Sequence, residues 1–167
     1  AGDTLAGGAG ADVLDGGAGG WNRLWGAEGD DLIYGGADFD NIHGNIGNDT
    51  ASGAAGDDWV VGGQGDDLLM GDAGFDAVYG NLGTDPCHGG DGADWVRGGQ
   101  GADSLTGGAG NDLMWGDRGN DTLSGGAGAD TFYTFGEGGI DRVLDFKASE
   151  GDRVRIEGDT WTVGGGG

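Results

Sequence analysis

Proline and cysteine each occur once in 167 residues. A collagen triple helix needs abundant proline, so the glycine excess described below has another cause. A single cysteine, Cys87, excludes an intramolecular disulfide and any cysteine-based zinc site. Basic side chains are scarce: 7 Lys and Arg stand against 30 Asp and Glu, a formal charge of -23. That balance excludes nucleic acid as a partner, because phosphate recognition needs a basic patch. It also excludes docking on an anionic membrane. No apolar run approaches the roughly 20 residues that span a bilayer, so membrane insertion is not expected. Neither HExxH nor GxSxG occurs. The chain opens Ala1-Gly2-Asp3-Thr4-Leu5, with no basic or apolar leader. It reads as the middle of a repeat, and so as a piece of a longer protein.

Glycine is abundant, at 46 of 167 residues. Low hydrophobicity with high net charge ordinarily reads as disorder. Six Trp and a fixed spacing of Gly and Asp oppose that reading. Gly falls at 7, 16, 26, 35, 44, 53, 62, 71, 80, 89, 98, 107, 116 and 125, in steps of nine with one step of ten. Fourteen units result, of which GGQGDDLLM (62–70) is among the cleanest. Position four is Gly except for Asp38, and position six is Asp except for Asn22. Asp3 fits position six of an incomplete earlier unit. Position eight is Leu14, Leu24, Ile33, Ile42, Ala51, Val60, Leu69, Val78, Cys87, Val96, Leu105, Met114, Leu123 and Phe132. Positions seven to nine then form a three-residue strand with its centre inward, and the other six residues form a turn. Two units return the chain to its start, giving about seven coils of 18 residues.

The nonapeptide GGxGxDxUx resembles the calcium-binding repeat of the RTX (repeats-in-toxin) proteins. The tail is similar as well, in Gly128-Ala129-Asp130-Thr131-Phe132, Asp141-Arg142-Val143-Leu144-Asp145-Phe146 and Gly151-Asp152-Arg153-Val154. The resemblance implies an all-β, right-handed parallel β-roll (a β-solenoid) with calcium in its turns and export by type I secretion. The protein is then secreted, extracellular or on a bacterial cell surface. The roll is assigned to 1–133 and a short β-rich C-terminal capping segment to 134–167.

The residue pattern independently suits calcium, a hard cation taking six to eight oxygens from carboxylates and carbonyls. Glycine turns present carbonyls, and stacked turns bring carboxylates together. One edge carries Asp12, Asp31, Asp49, Asp67, Asp85, Asp103 and Asp121; the other carries Asp40, Asp58, Asp76, Asp94, Asp112 and Asp130. The gaps between coils number about eleven candidate sites. Residues 1–133 hold 23 acidic and 3 basic side chains, and such a stack repels itself until neutralised. Fourteen inward side chains are too few to order so long a chain alone. The chain is therefore expected to fold on binding Ca²⁺ outside the cell. Magnesium, which keeps its waters, suits such turns less well. A merely solvated acidic surface would not fix the register.

Several positions depart from the pattern. Unit two, GGAGGWNRLW (16–25), has an extra residue and lacks Asp, so a bulged turn with a weak or missing site is expected there. Pro86 removes a ladder donor from its strand. Cys87 falls in the inward column and reads as a structural thiol. Residues 39–69 match 75–105 at 17 of 31 positions. Eleven of these matches are the repeat's own Gly or Asp, while Phe39/Phe75 and Trp59/Trp95 are among the rest.

Positions seven and nine face outward. One sheet there carries Trp25, Trp59, Tyr79, Trp95, Trp115 and Tyr133, whereas the other carries only Tyr34. An apolar face of this kind marks docking on a protein partner or on a parent domain. The alternatives are a stacking ladder with Arg97 over a ring, or sugar stacking. An adhesin or assembly scaffold binding protein or glycan through this face is the second function class. No catalytic cluster stands out, since His43 and His88 fall on opposite sheets, and no catalytic residue is assigned. Ice binding is disfavoured by Leu68, Met70, Pro86 and His88 in the Ser/Thr face. The tail carries four of the seven basic residues, and two strands are expected at 152–156 and 160–163. It should cover the roll's open end, with Asp141, Asp145 and Asp152 as further calcium candidates. Gly164–Gly167 do not resemble the family's C-terminal export signal.

Overall fold

The computed structural model describes residues 2–135 and 138–157. Seventeen strands and no helix occur among the described residues. The odd-numbered strands, from β1 (Thr4–Ala9) to β17 (Arg153–Glu157), form a nine-stranded parallel sheet. The even-numbered strands, from β2 (Val13–Asp15) to β16 (Arg142–Val143), form an eight-stranded parallel sheet. Consecutive strands alternate between the sheets, so the chain winds as a solenoid of about eight coils. The tail supplies the difference from the seven expected. β16 pairs with β14 (Thr122–Ala127), and β17 pairs with β15 (Thr131–Phe135). The strand expected at 152–156 is thus β17, while 160–163 lies outside the described residues.

Most strands run six residues rather than three, as in β7 (Trp59–Gln64). They continue through positions one to three of the next unit, because those residues also pair with the neighbouring coil: Gly63 faces Asn81 and Gln64 faces Leu82. The backbone turns left-handed at position two in all fourteen units and at position four likewise. Glycine meets this demand at most of these positions. Ala27, Asn45, Ala54, Asp72, Asn81 and Asp117 meet it at position two, and Asp38 at position four with φ 69°. Unit two absorbs its extra residue in Gly19 and Gly20, both with positive φ.

The core is one column of fourteen position-eight side chains, from Leu14 to Phe132, all buried. Cys87 is fully buried among them, and burial pushes its thiol well above the usual range. Pro86 begins β10 (Pro86–Asp91), whose pairing with β8 (Leu68–Ala73) starts only at Cys87–Leu69. The missing N–H has removed one rung.

Candidate metal centres

Alternation along each turn places position five outward, position six inward and position seven outward. Every Asp of the two columns therefore points into the roll beneath its own turn. Asp31, Asp40, Asp49, Asp58, Asp67, Asp76, Asp85, Asp94, Asp103, Asp112, Asp121 and Asp130 are all buried, and Asp12 is half-buried. The backbone N–H of each donates to Oδ1 of the Asp one coil further on, as from Asp58 to Asp76 at 2.7 Å and from Asp67 to Asp85 at 2.8 Å. The series runs unbroken down both edges. The tail ends each column: Asp141 accepts from Asp121 at 3.2 Å, and Asp152 accepts from Asp130 at 3.1 Å.

Oδ2 has no such partner. In all thirteen column Asp residues it is buried and accepts no hydrogen bond. A buried, unpaired carboxylate oxygen is costly, and the two columns carry thirteen of them. Each points at the position-one glycine of its turn. A Cβ added to Gly71 would lie 2.6 Å from both Asp76 Oδ2 and the Gly89 carbonyl oxygen of the next coil. On Gly35 the same two distances, to Asp40 Oδ2 and Gly53 O, are again 2.6 Å. Oxygens from consecutive coils converge at a point that only glycine leaves open. Among the described residues no group of three His, Cys, Asp or Glu converges. The donor set is carboxylate plus backbone carbonyl, the hard-oxygen set that calcium favours and soft transition metals do not.

Electrostatics agree. Burial pushes Asp67, Asp76, Asp112 and Asp121 up to about 7, and Asp58 and Asp85 up to about 6. The N–H from the preceding coil holds each back, and neighbouring carboxylates add to the rise. Burial also raises Asp40, Asp49, Asp94, Asp103 and Asp130.

Asn22 shows how the same cradle closes with an amide. Its Oδ1 accepts from Asp3 N at 2.9 Å, keeping the ladder. Its Nδ2 sits where the others place Oδ2 and donates to Asp40 Oδ1 at 2.8 Å and to Gly35 O at 3.4 Å. In the tail, Asp145 leaves the columns. Burial alone would raise its carboxyl, but hydrogen bonds from Ser124, Gly126 and Gly125 outweigh this and hold it low. Asp152 Oδ2 accepts from Lys147 N at 2.6 Å.

An outer polar ladder escaped the sequence reading. Asn48 N donates to Asp30 Oδ1, Asp66 N to Asn48 Oδ1 and Thr84 N to Asp66 Oδ1, at 2.7–2.8 Å. Asx residues 18 apart at position five were its only signal. The aromatic residues divide into two groups. Trp25, Tyr79, Trp115 and Tyr133 are half-buried, with Trp115 and Tyr133 stacked at 4.5 Å and Tyr79 under Trp59 at 6.0 Å. Trp59 and Trp95 are exposed. Arg97 pairs with Asp117 instead of lying over a ring, its second contact being 3.1 Å. His43 and His88 lie in opposite sheets.

Two columns of cradled oxygens on a parallel solenoid define a cation-binding β-roll. The chain belongs to the RTX calcium-binding nonapeptide repeat family, whose model of four repeat copies matches residues 1–20, 17–51, 34–69, 52–85, 88–123 and 114–143. Repeats of this family bind Ca²⁺, and its members are secreted proteins. No curated protein matches the chain. Among the described residues no helix is long and apolar enough to cross a membrane.

Proposed function

We propose that the chain is a calcium-triggered folding module of a larger secreted protein, without catalytic activity of its own. The carrying observation is the set of thirteen buried, partnerless Oδ2 atoms, each aimed at the position-one glycine of its turn, with a next-coil carbonyl beside it as at Gly89 for Asp76 and Gly53 for Asp40. The residues that would hold the ions are the thirteen column Asp together with carbonyls of their glycine turns. Bound calcium supplies the positive charge these oxygens lack, at about eleven sites between successive coils. Each Asp fixes its carboxylate through Oδ1, which leaves Oδ2 pre-aimed. At neutral pH without cations, the aligned carboxylates oppose the coil stack more than the thin core favours it. Inside a cell, where calcium is scarce, such a chain stays unfolded and fit for export; extracellular calcium at about 0.1–1 mM then drives folding. The capping role of 134–167 is supported by β16, β17, Asp141 and Asp152, which end both sheets and both columns.

Far-UV circular dichroism during a calcium titration from EDTA, with magnesium as control, tests this. A coil-to-β transition with calcium alone is expected. A β spectrum in EDTA at neutral pH would refute it. A second role, docking of a partner or parent domain through the aromatic side, is favoured by the exposure of Trp59 and Trp95. The adhesin or scaffold reading rests on the same surface. Serine at both positions should weaken partner binding or assembly, and unchanged binding would remove this role.

A further inference from the structure

Five exposed rings line one turn edge: Trp21, Phe39, Trp59, Phe75 and Trp95, each 40–50 % exposed. They occupy five consecutive coils, one ring per coil, at position five of the turn that enters the odd-numbered sheet or at position seven, the first residue of the strand that follows it. Trp21 touches Phe39 at 6.2 Å, and Phe75 meets Trp95 edge-on at 5.6 Å. Trp59 packs instead on the half-buried Tyr79 at 6.0 Å, which with Trp25, Trp115 and Tyr133 occupies position nine. The ridge also holds Phe39/Phe75 and Trp59/Trp95, which the 36-residue internal duplication keeps although the nonapeptide does not require them.

The surroundings specify charge. Residues 24–96 contain 15 Asp and Glu and no Lys or Arg. Once the column Asp residues are set aside, Asp38 and Asp57 remain exposed in these turns, and Asp72 and Asp91 remain exposed at the ends of β8 and β10, which lead into them, with the Ser52 hydroxyl donating to Asp72 Oδ2. Asp72 and Asp91, three and four residues before Phe75 and Trp95, line a shallow notch of about 570 Å³. The ridge's own first ring already carries a guanidinium, since Arg23 lies 4.7 Å over Trp21.

Spacing specifies shape. The rings rise by about 4.8 Å per coil, the distance between neighbouring strands. A helix presents one apolar face every turn, at about 5.4 Å, and slips by only about 2 Å over the four steps. An extended strand repeats its face at about 6.7 Å and slips by more than a full ring spacing. The tilted and edge-on ring pairs offer no flat platform for sugar stacking.

We propose that this ridge docks a basic amphipathic helix of about four turns, its apolar stripe on the rings and its arginines or lysines at Asp72, Asp91 and Asp57. The proposal rests on the calcium-folding reading in one respect: the ridge is assembled only when the coils stack.

The test uses the full chain and a fluorescein-labelled peptide of about 18 residues, with leucine at helical spacing and arginine elsewhere. Anisotropy is read in calcium and in EDTA, with circular dichroism on the same samples. Controls are a peptide of identical composition with alternating leucine and arginine, a glutamate-for-arginine version and a neutral oligosaccharide of glucose. Binding of the helix-patterned peptide in calcium is expected, at least tenfold tighter than any control and weakened by salt. Phe39→Ser with Phe75→Ser, and separately Asp72→Asn with Asp91→Asn, should each weaken it at least tenfold while the β spectrum persists. No binding to a folded chain overturns the proposal, as does equal binding of the alternating peptide or of the variants. Tighter binding of the oligosaccharide also overturns it. A β spectrum and peptide binding in EDTA would defeat the calcium-folding reading and leave the ridge standing.

Discussion

Exchanging Asn22 and a column Asp should reverse the sign of its effect between calcium and EDTA. Asp76 is fully buried, and burial raises its carboxyl from 3.8 to about 7. At pH 8 its charge therefore costs the metal-free roll about 4 kcal/mol, at about 1.4 kcal/mol per pH unit. Asp76→Asn removes that charge. The amide keeps Oδ1 for the Asp58 N–H and turns Nδ2 toward the Gly89 carbonyl, as Asn22 does toward Gly35. In EDTA the variant should gain up to about 4 kcal/mol, and in calcium it should lose the linkage stabilisation of one site, about 2.7 kcal/mol at a hundredfold excess over Kd. Asn22→Asp should do the opposite, weakening the metal-free roll and adding one calcium to the binding stoichiometry. Metal-free stability is measurable by driving folding with trimethylamine N-oxide and reading circular dichroism. Urea unfolding and calorimetric titration give the loaded state. If Asp76→Asn destabilises the roll equally in EDTA and in calcium, the column Asp residues are ladder elements and the cradle argument fails.

Acid should replace calcium. Asp58 and Asp85 (about 6) and Asp67, Asp76, Asp112 and Asp121 (about 7) bind protons more tightly folded than unfolded, so they favour the metal-free roll below about pH 4. That support is lost as pH rises through 6 to 7, and circular dichroism in EDTA should show β structure in acid that vanishes by neutrality. Gly71→Ala puts a methyl 2.6 Å from Asp76 Oδ2 and Gly89 O. It should cost about 1–3 kcal/mol in calcium and weaken one site, read by urea unfolding and calorimetry. Ala54→Gly relieves a left-handed alanine at φ 78° and should stabilise the loaded roll by about 1 kcal/mol. Asp145→Ala frees the N–H groups of Gly125 and Gly126 and the Ser124 hydroxyl, and should raise the calcium midpoint for folding.

The coil was legible because its period is enforced twice, by the left-handed turn residues and by the position-one cradle. The Asp columns followed from the same spacing. The eighth coil was hidden because the tail breaks the count: Asp141 and Asp152 stand 20 and 22 residues after their column partners, not 18. Strand length was underestimated because positive φ reads as a turn, yet Gly63 and Asn81 still face each other across the sheet. Exposure of the rings was not legible from alternation. Parity places Tyr79 and Trp59 outward alike, and only the stacking of Trp59 onto the next coil decides which is covered. The role of Asn22 needed atoms, because its amide fills a place that the sequence shows merely as a missing acid.

The winding has a mechanical consequence. Each coil packs 18 residues into one strand spacing of about 4.8 Å, and drawn out those residues reach roughly 60 Å. A pull along the solenoid axis therefore meets coils that can release one at a time, each lengthening the chain more than tenfold over the space it occupied. The resistance of every step is set by the oxygens between that coil and the next. Placed between two loads, the roll is a tether whose slack is stored in equal parcels, and on the calcium-folding proposal its yield force follows the calcium around it.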